Sequence, residues 1–257
     1  MTPLFFTYCD CGGDKKGDKE GECGSLECGC QDAAEALGSA YTNGLFNFTY
    51  GPDQVVVECN PYCHCSPNCP NRVAQSGRQV PIEIFKTARC GWGVRAPVDV
   101  ERGTVLGMYT GSLIPRAEAM DLTGEAKEYC FDLDYNQEHE DEEDLTEKYT
   151  VDSLRYGNWT RFINHSCEPN LRVQPIVYDT LPSQNMAYLT FIAMERIPAR
   201  TELTFDYDPA VQRDHKVTQG QQRKGWKRKS ESERPESATD CVCGADPERC
   251  RGWVRTK

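Results

Sequence analysis

The stretch Arg161-Phe162-Ile163-Asn164-His165-Ser166-Cys167-Glu168-Pro169-Asn170 carries polar groups and a thiol where a plain core segment would be apolar. Its Asn-His pair offers several hydrogen-bond donors and acceptors within two residues. Cys167 ties the same segment to whatever its thiol binds. Much later come Cys241, Cys243 and Cys250. Tetrahedral zinc takes four ligands, so this tail trio is one short of a closed site. Cys167 completes it, and the tail is then expected to fold back over Asn164 and His165.

A second cysteine set lies near the start: Cys9, Cys11, Cys23, Cys28 and Cys30, then Cys59, Cys63, Cys65 and Cys69. The residues between them are rich in Gly and Asp and show little apolar periodicity. Such a segment cannot fold on burial alone, and bound metal must supply the energy. Nine thiolates satisfy two zincs with one left over, or three zincs if three thiolates are shared; the spacing leaves both open. His64 is read as a surface residue, because sulfur already fills the sites. Cys90 and Cys130 fall outside both sets and are read as free thiols.

Fifteen cysteines, an odd count in tight Cys-x-Cys pairs, argue for metal rather than disulfides. Residues 1–8 have one short apolar patch and no basic region, so no signal peptide is expected there. No run approaches the roughly 18–20 apolar residues of a membrane span. The abrupt start suggests a piece of a longer protein. A net charge of -11 does not suit a chain that binds DNA by itself, and sequence-specific DNA contact is not expected; it does suit a basic peptide partner. At 257 residues the chain can bury one good-sized core with small accessory modules.

The elements that must position these residues are mainly strands. Apolar alternation marks residues 80–86 as a strand, and residues 104–109, 129–134 and 148–153 read as short strands. Residues 171–178 and 187–195 are apolar, β-branched and aromatic runs that read as strands, and residues 201–207 close the core. Residues 115–127 read as a helix with Pro115 near its start, and residues 159–164 as a short turn or helix. A mostly β fold with short helices follows. Cys90-Gly91-Trp92-Gly93 is a turn whose glycines would let a ligand approach the backbone. Residues 138–147 hold seven acidic side chains, read as a solvated loop that could also attract a basic tail. Residues 213–234 hold eight Lys or Arg against three acids and almost no apolar residues, as expected of a flexible linker.

Arg-Phe-Ile-Asn-His-Ser-Cys-x-Pro-Asn resembles the signature of SET-domain lysine methyltransferases, and the likeness extends from Cys9 to Trp253. The resemblance implies a pre-SET zinc module over residues 1–70, a SET core over 71–208 with a pseudoknot, a basic linker over 209–238 and a post-SET zinc module over 239–257. It favours a nine-cysteine, three-zinc cluster in the first module. With the tail site, that makes four zincs on thirteen cysteines. It narrows the family to the suppressor-of-variegation type, which methylates lysine 9 of the histone H3 tail with S-adenosylmethionine on chromatin, in the nucleus.

The same resemblance assigns roles. Tyr207 matches the catalytic tyrosine, Tyr109 a tyrosine bonding the target amine, and Tyr129 one lining both pocket and cofactor. Phe205 matches a product switch: without a phenol there, methylation is expected to run to trimethyl-lysine. Cofactor contacts are expected from Cys90, Gly91, Trp92, Tyr129, Arg161, Asn164, His165 and Trp253, with His165 acting largely through its backbone. The linker lysines Lys216, Lys224, Lys227 and Lys229 are candidate internal occupants of the peptide groove. A non-catalytic reader of histone tails built on this scaffold would be free to lose Tyr207, Asn164 and His165, so their presence favours the enzyme.

Overall fold

A computed structural model describes residues 9, 11, 23, 29–32, 38–133, 148–179, 186–208, 234 and 238–255. Cys28, the acidic run 138–147 and the linker lysines lie outside the described residues. No helix among the described residues is long and apolar enough to cross a membrane.

The centre is a mixed four-stranded sheet in the order Val56–Val57, Leu171–Val177, Tyr188–Ala193, Val105–Met108. Leu171–Val177 and Tyr188–Ala193 pair antiparallel from Leu171↔Ala193 to Ile176↔Tyr188. Side chains alternate between the two faces of a strand. Leu189, Phe191 and Ala193 accordingly pack with Leu106, Leu171 and Phe205 in one apolar cluster. Ile192 packs on the other face with Val105, Ile176 and Phe46. A strand covered on both faces needs a continuous apolar run, which is the pattern of residues 187–193.

Around this sheet sit the hairpin Glu83–Lys86 with Trp92–Arg95 and the three-stranded sheet Ser112–Pro115, Tyr149–Asp152, Cys130–Asp132. The helix expected over 115–127 is two short helices, Arg116–Met120 and Glu125–Glu128. Gly124, at φ 60°, turns the chain between them in a conformation that side chains disfavour.

The strand Asn164–His165 pairs in parallel with Thr204–Phe205, Asn164 opposite Thr204 and His165 opposite Phe205. Ser166 N–H extends the pairing to the Phe205 carbonyl at 3.0 Å. Asn170, at the end of the signature, accepts from Thr204 N–H at 2.9 Å and donates to the Glu202 carbonyl at 2.8 Å. Its amide therefore locks the last core segment beside the signature, the juxtaposition a pseudoknot requires.

The first cysteine module is stitched into this core. Val56 and Val57 pair in parallel with Ile176 and Val177, and Glu58 N–H donates to the Val177 carbonyl at 2.8 Å. Glu58 is fully buried. Its carboxylate accepts from the Tyr41 hydroxyl at 2.6 Å, from Val73 and Ala74 N–H at 3.0 and 2.7 Å, and from the Gln75 amide at 2.9 Å. A buried carboxylate is tolerated only when hydrogen-bonded this fully. Replacing one oxygen by an NH2 sets donor against donor. Glu58→Gln should cost about 2 kcal/mol and lower the thermal unfolding midpoint; an unchanged midpoint would contradict this role.

Candidate functional site

A cavity of about 470 Å³ opens where the signature, the final core strand and the tail meet. Tyr109, Tyr129, Phe205 and Tyr207 all line it. Phe205 packs face to face on Phe131 at 5.8 Å and tilts against Tyr207 at 4.7 Å, so the wall is a continuous aromatic surface. The Tyr207 hydroxyl donates to the Ile163 carbonyl at 2.9 Å. The Tyr109 hydroxyl donates to the Tyr129 carbonyl at 2.8 Å and accepts from the Ser153 hydroxyl at 2.5 Å. With each proton committed to a carbonyl, the phenol oxygens face a ligand as acceptors. Burial pushes the Tyr109 phenol up to about 12 and raises Tyr207 above its ordinary value as well, so both stay protonated at neutral pH.

Local sequence explains the placement. The Asn158 side chain accepts from Thr160 N–H at 2.9 Å, starting the short helix Trp159–Phe162, and donates to the Met108 carbonyl at 2.9 Å. That pins the helix to the strand ending beside Tyr109. Arg161 leaves this helix with its guanidinium 4.5 Å from the Tyr129 ring centre. Its Nε is buried with no hydrogen-bond partner, although Arg161 lines the cavity. A buried guanidinium nitrogen left without an acceptor fits a polar or anionic ligand group at this end.

Six of the eight expected cofactor residues line the cavity: Cys90, Gly91, Trp92, Tyr129, Arg161 and Asn164. The Asn164 amide is spent inside the protein, donating to the Trp92 carbonyl at 3.0 Å and to the Glu202 carboxylate at 2.8 Å. It fixes the Gly-Trp-Gly turn. Glycine is required at 93 by packing rather than by a ligand, since a Cβ would lie 2.5 Å from Thr87 Cγ2 and 2.7 Å from Glu202 Oε1. At Gly91, φ is 72°.

His165 and Trp253 sit behind the cavity wall. The His165 Nδ1 accepts from Tyr207 N–H at 3.2 Å, and its Nε2 lies 3.3 Å from both Cys167 Sγ and the Arg251 guanidinium. Trp253 is buried with its indole N–H unpartnered. Three residues that spacing alone does not single out complete the surroundings: Glu202, Asp206 and Arg251. Asp206 and Arg251 are buried charges joined at 2.5 Å. The signal for Asp206 is a lone acid between two aromatic residues; Arg251 gives none beyond its place after Cys250.

Cys167, Cys241, Cys243 and Cys250 bring four sulfurs within 4.8 Å of one another, Cys167 to Cys241 at 3.8 Å and Cys243 to Cys250 at 3.9 Å. Four thiolates bound to zinc at about 2.3 Å in a tetrahedron stand about 3.8 Å apart, so the set fits that ion. Cys241 and then His165, as donors, pull the Cys167 thiol well below its ordinary value. Arg251 N–H and Gly252 N–H donate to the sulfurs of Cys167 and Cys250, both at 3.4 Å. The tail hairpin Ala238–Asp240 with Trp253–Arg255 then delivers Thr239 and Val254, directly opposite each other, to the cavity.

Near the start, Cys9, Cys23, Cys59 and Cys65 form one such group and Cys9, Cys30, Cys59 and Cys63 another. Cys9 and Cys59 occur in both, as shared thiolates would. Cys69 lies among Cys23, Cys59 and Cys65. Cys11 packs half-buried against the same cluster. The sulfurs receive N–H bonds from Asn60, Asn71 and Arg72 at 3.3 to 3.5 Å. Among the described residues Cys90 and Cys130 join no group; Cys130 donates to the Ala126 carbonyl at 3.5 Å.

A SET-domain profile matches residues 91–208. A histone-lysine N-methyltransferase of Schizosaccharomyces pombe, H3 lysine-9 specific, is 38% identical over 78% of this chain and 38% of its own length. The solved Neurospora SET domain protein DIM-5, a histone lysine methyltransferase, is 35% identical, with a TM-score of 0.68 over 79% of this chain and 81% of its own. Arabidopsis thaliana SUVH6, solved in complex with SAM, is 30% identical, with a TM-score of 0.68 over 91% of this chain and 44% of its own. The chain thus spans well under half the length of the yeast relative. If the tail set holds one ion, Cys167→Ser should lower bound zinc by about one equivalent, read by elemental analysis, and leave the first cluster loaded; unchanged zinc would remove Cys167 from the ligand set.

Proposed function

Since the chain belongs to the SET-domain family of lysine methyltransferases, of the suppressor-of-variegation type, we propose that it methylates lysine 9 of the histone H3 tail on chromatin in the nucleus. The convergence of Tyr109, Tyr129, Tyr207 and Phe205 on one cavity with Arg161 carries this reading. S-adenosylmethionine, when bound, supplies the methyl group as a sulfonium, and with it a positive charge. The residues around Cys90, Gly91 and Trp92, with Tyr129, Arg161 and Asn164, would hold it, and His165 and Trp253 would back that surface. Four zincs, three in the first module and one in the tail, would hold the flanking modules.

The chain's own task is to present an uncharged amine in line and dry. A lysine at pH 7 lies about 3.4 units below its pKa, so losing the proton costs roughly 4–5 kcal/mol. The aromatic wall disfavours the ammonium by removing water from it. Tyr207 and Tyr109 offer oxygen acceptors, so the amine points its N–H bonds at them and its lone pair elsewhere. Phe205, stacked on Phe131, adds no hydroxyl that would hold a water and crowd a methylated amine. The reaction is therefore expected to continue to trimethyl-lysine.

Radiolabelled cofactor offered with whole histones, and with an H3 tail whose lysine 9 is replaced by alanine, tests the substrate: label should enter H3 and disappear from the altered tail. Label in another histone, or undiminished in the altered tail, overturns it. Tyr207→Phe should reduce turnover by on the order of 10²-fold. Phe205→Tyr should stop at mono- or dimethyl-lysine by mass spectrometry, and continued trimethylation by it refutes the switch. Because burial raises both phenols, Tyr109 to about 12, turnover should climb with pH as the substrate amine deprotonates and show no falling limb from tyrosine below about pH 10.

A further inference from the structure

Arg251 is 1% exposed and follows directly on the tail cysteine Cys250. A guanidinium in that position is costly unless its environment uses it, and a buried ion pair adds little stability over apolar packing. Its bonds are specific. One nitrogen donates to Asp206 Oδ1 at 2.5 Å and another to the Asp208 carbonyl at 3.0 Å, the residues on either side of Tyr207. The Tyr207 N–H itself is held at 3.2 Å by His165, whose other nitrogen meets Cys167 Sγ at 3.3 Å. Three consecutive residues around the tyrosine are thus anchored to the tail metal site, two by Arg251 and one through the imidazole. The backbone N–H of Arg251 donates to Cys167 Sγ at 3.4 Å, so its own position is set by the same sulfurs.

We propose that Arg251 is a positioning residue for Tyr207, and that through it the tail metal site, once closed, sets where the Tyr207 hydroxyl stands in the cavity. This rests on reading Tyr207 as the group that orients the amine. The planar fork of arginine meets a carboxylate and a backbone carbonyl two residues apart from two separate nitrogens; lysine carries its three donors on one nitrogen and does not reproduce that geometry. A displacement well under the length of a side chain is enough to spoil in-line alignment.

The test is a double-mutant cycle of Arg251→Lys with Tyr207→Phe, with zinc content and melting temperature measured on every variant. Arg251→Lys should keep its zinc and lower kcat by on the order of tenfold, with the peptide KM changed by less than about threefold. In the Tyr207→Phe background the same change should lower kcat by less than about twofold, because it acts through a hydroxyl no longer there. Equal losses in both backgrounds, or a loss that tracks missing zinc, would overturn the proposal. Should Arg251→Lys fail to fold, Asp206→Asn breaks the same contact from the other side and is expected to give the same pattern. A second readout needs no turnover. In protein labelled with 13Cζ-tyrosine, the Tyr207 resonance, identified by its loss in Tyr207→Phe, should shift in zinc-replete Arg251→Lys; an unmoved resonance refutes the positioning role. If the unaltered protein methylates no histone, the functional reading falls, and the resonance still decides the role of Arg251.

Discussion

Four sulfurs drawn from residues 167 and 241–250 make two remote parts of the chain into one wall. The tail between Ala238 and Arg255 is one short hairpin, with Trp253 its deeply buried apolar side chain. Such a segment cannot hold itself against the core by burial. Thiolates around a cation can, because the binding energy of the ion becomes folding energy for whatever the ligands are attached to. The same reasoning applies at the other end, where Cys9, Cys30, Cys59 and Cys63 are buried together. The apolar core between the two ends packs Phe205, whose strand Thr204–Phe205 runs beside Asn164–His165.

The most conspicuous polar residues of the signature serve that architecture rather than the chemistry. Asn164 spends its amide on the Trp92 carbonyl and Glu202, and Asn170 spends its amide on the backbone of residues 202 and 204. His165 ties the backbone of Tyr207 to a sulfur. Transfer of a group from a sulfonium to an amine asks the protein for alignment and dryness more than for a proton relay. A site of that kind concentrates its polar side chains on the backbone that needs holding and leaves aromatic faces toward the ligand.

Much of this was legible in the chain. The strands at residues 171–177 and 188–193 follow from runs of apolar, β-branched and aromatic residues, and the tail set from a trio lacking its fourth ligand. Other features were hidden for physical reasons. Ser112–Pro115 forms a strand although Pro115 also caps the next helix, so the proline read as the start of one element masks the end of another. The break at Gly124 turns on a single φ, which an otherwise helical composition does not reveal. Strand Val56–Val57 lies in a cysteine-rich stretch that reads as metal-bound loop, yet it pairs with the core sheet over 100 residues away. Buried charges such as Glu58 and Arg251 look like surface residues in a sequence, because only the fold brings them the partners that make burial tolerable.

Those buried charges share a position. Glu58 precedes Cys59, a member of both sulfur groups near the start, and reaches across to Tyr41 and residues 73–75. Arg251 follows Cys250 and reaches across to residues 206 and 208. In each case a cysteine of a clustered sulfur set stands next to the charged side chain, and that side chain reaches from the cluster into the core through hydrogen bonds. A thiolate cluster alone constrains only its own loops. A buried carboxylate at one end and a buried guanidinium at the other would let two closed clusters also constrain the core and the aromatic cavity.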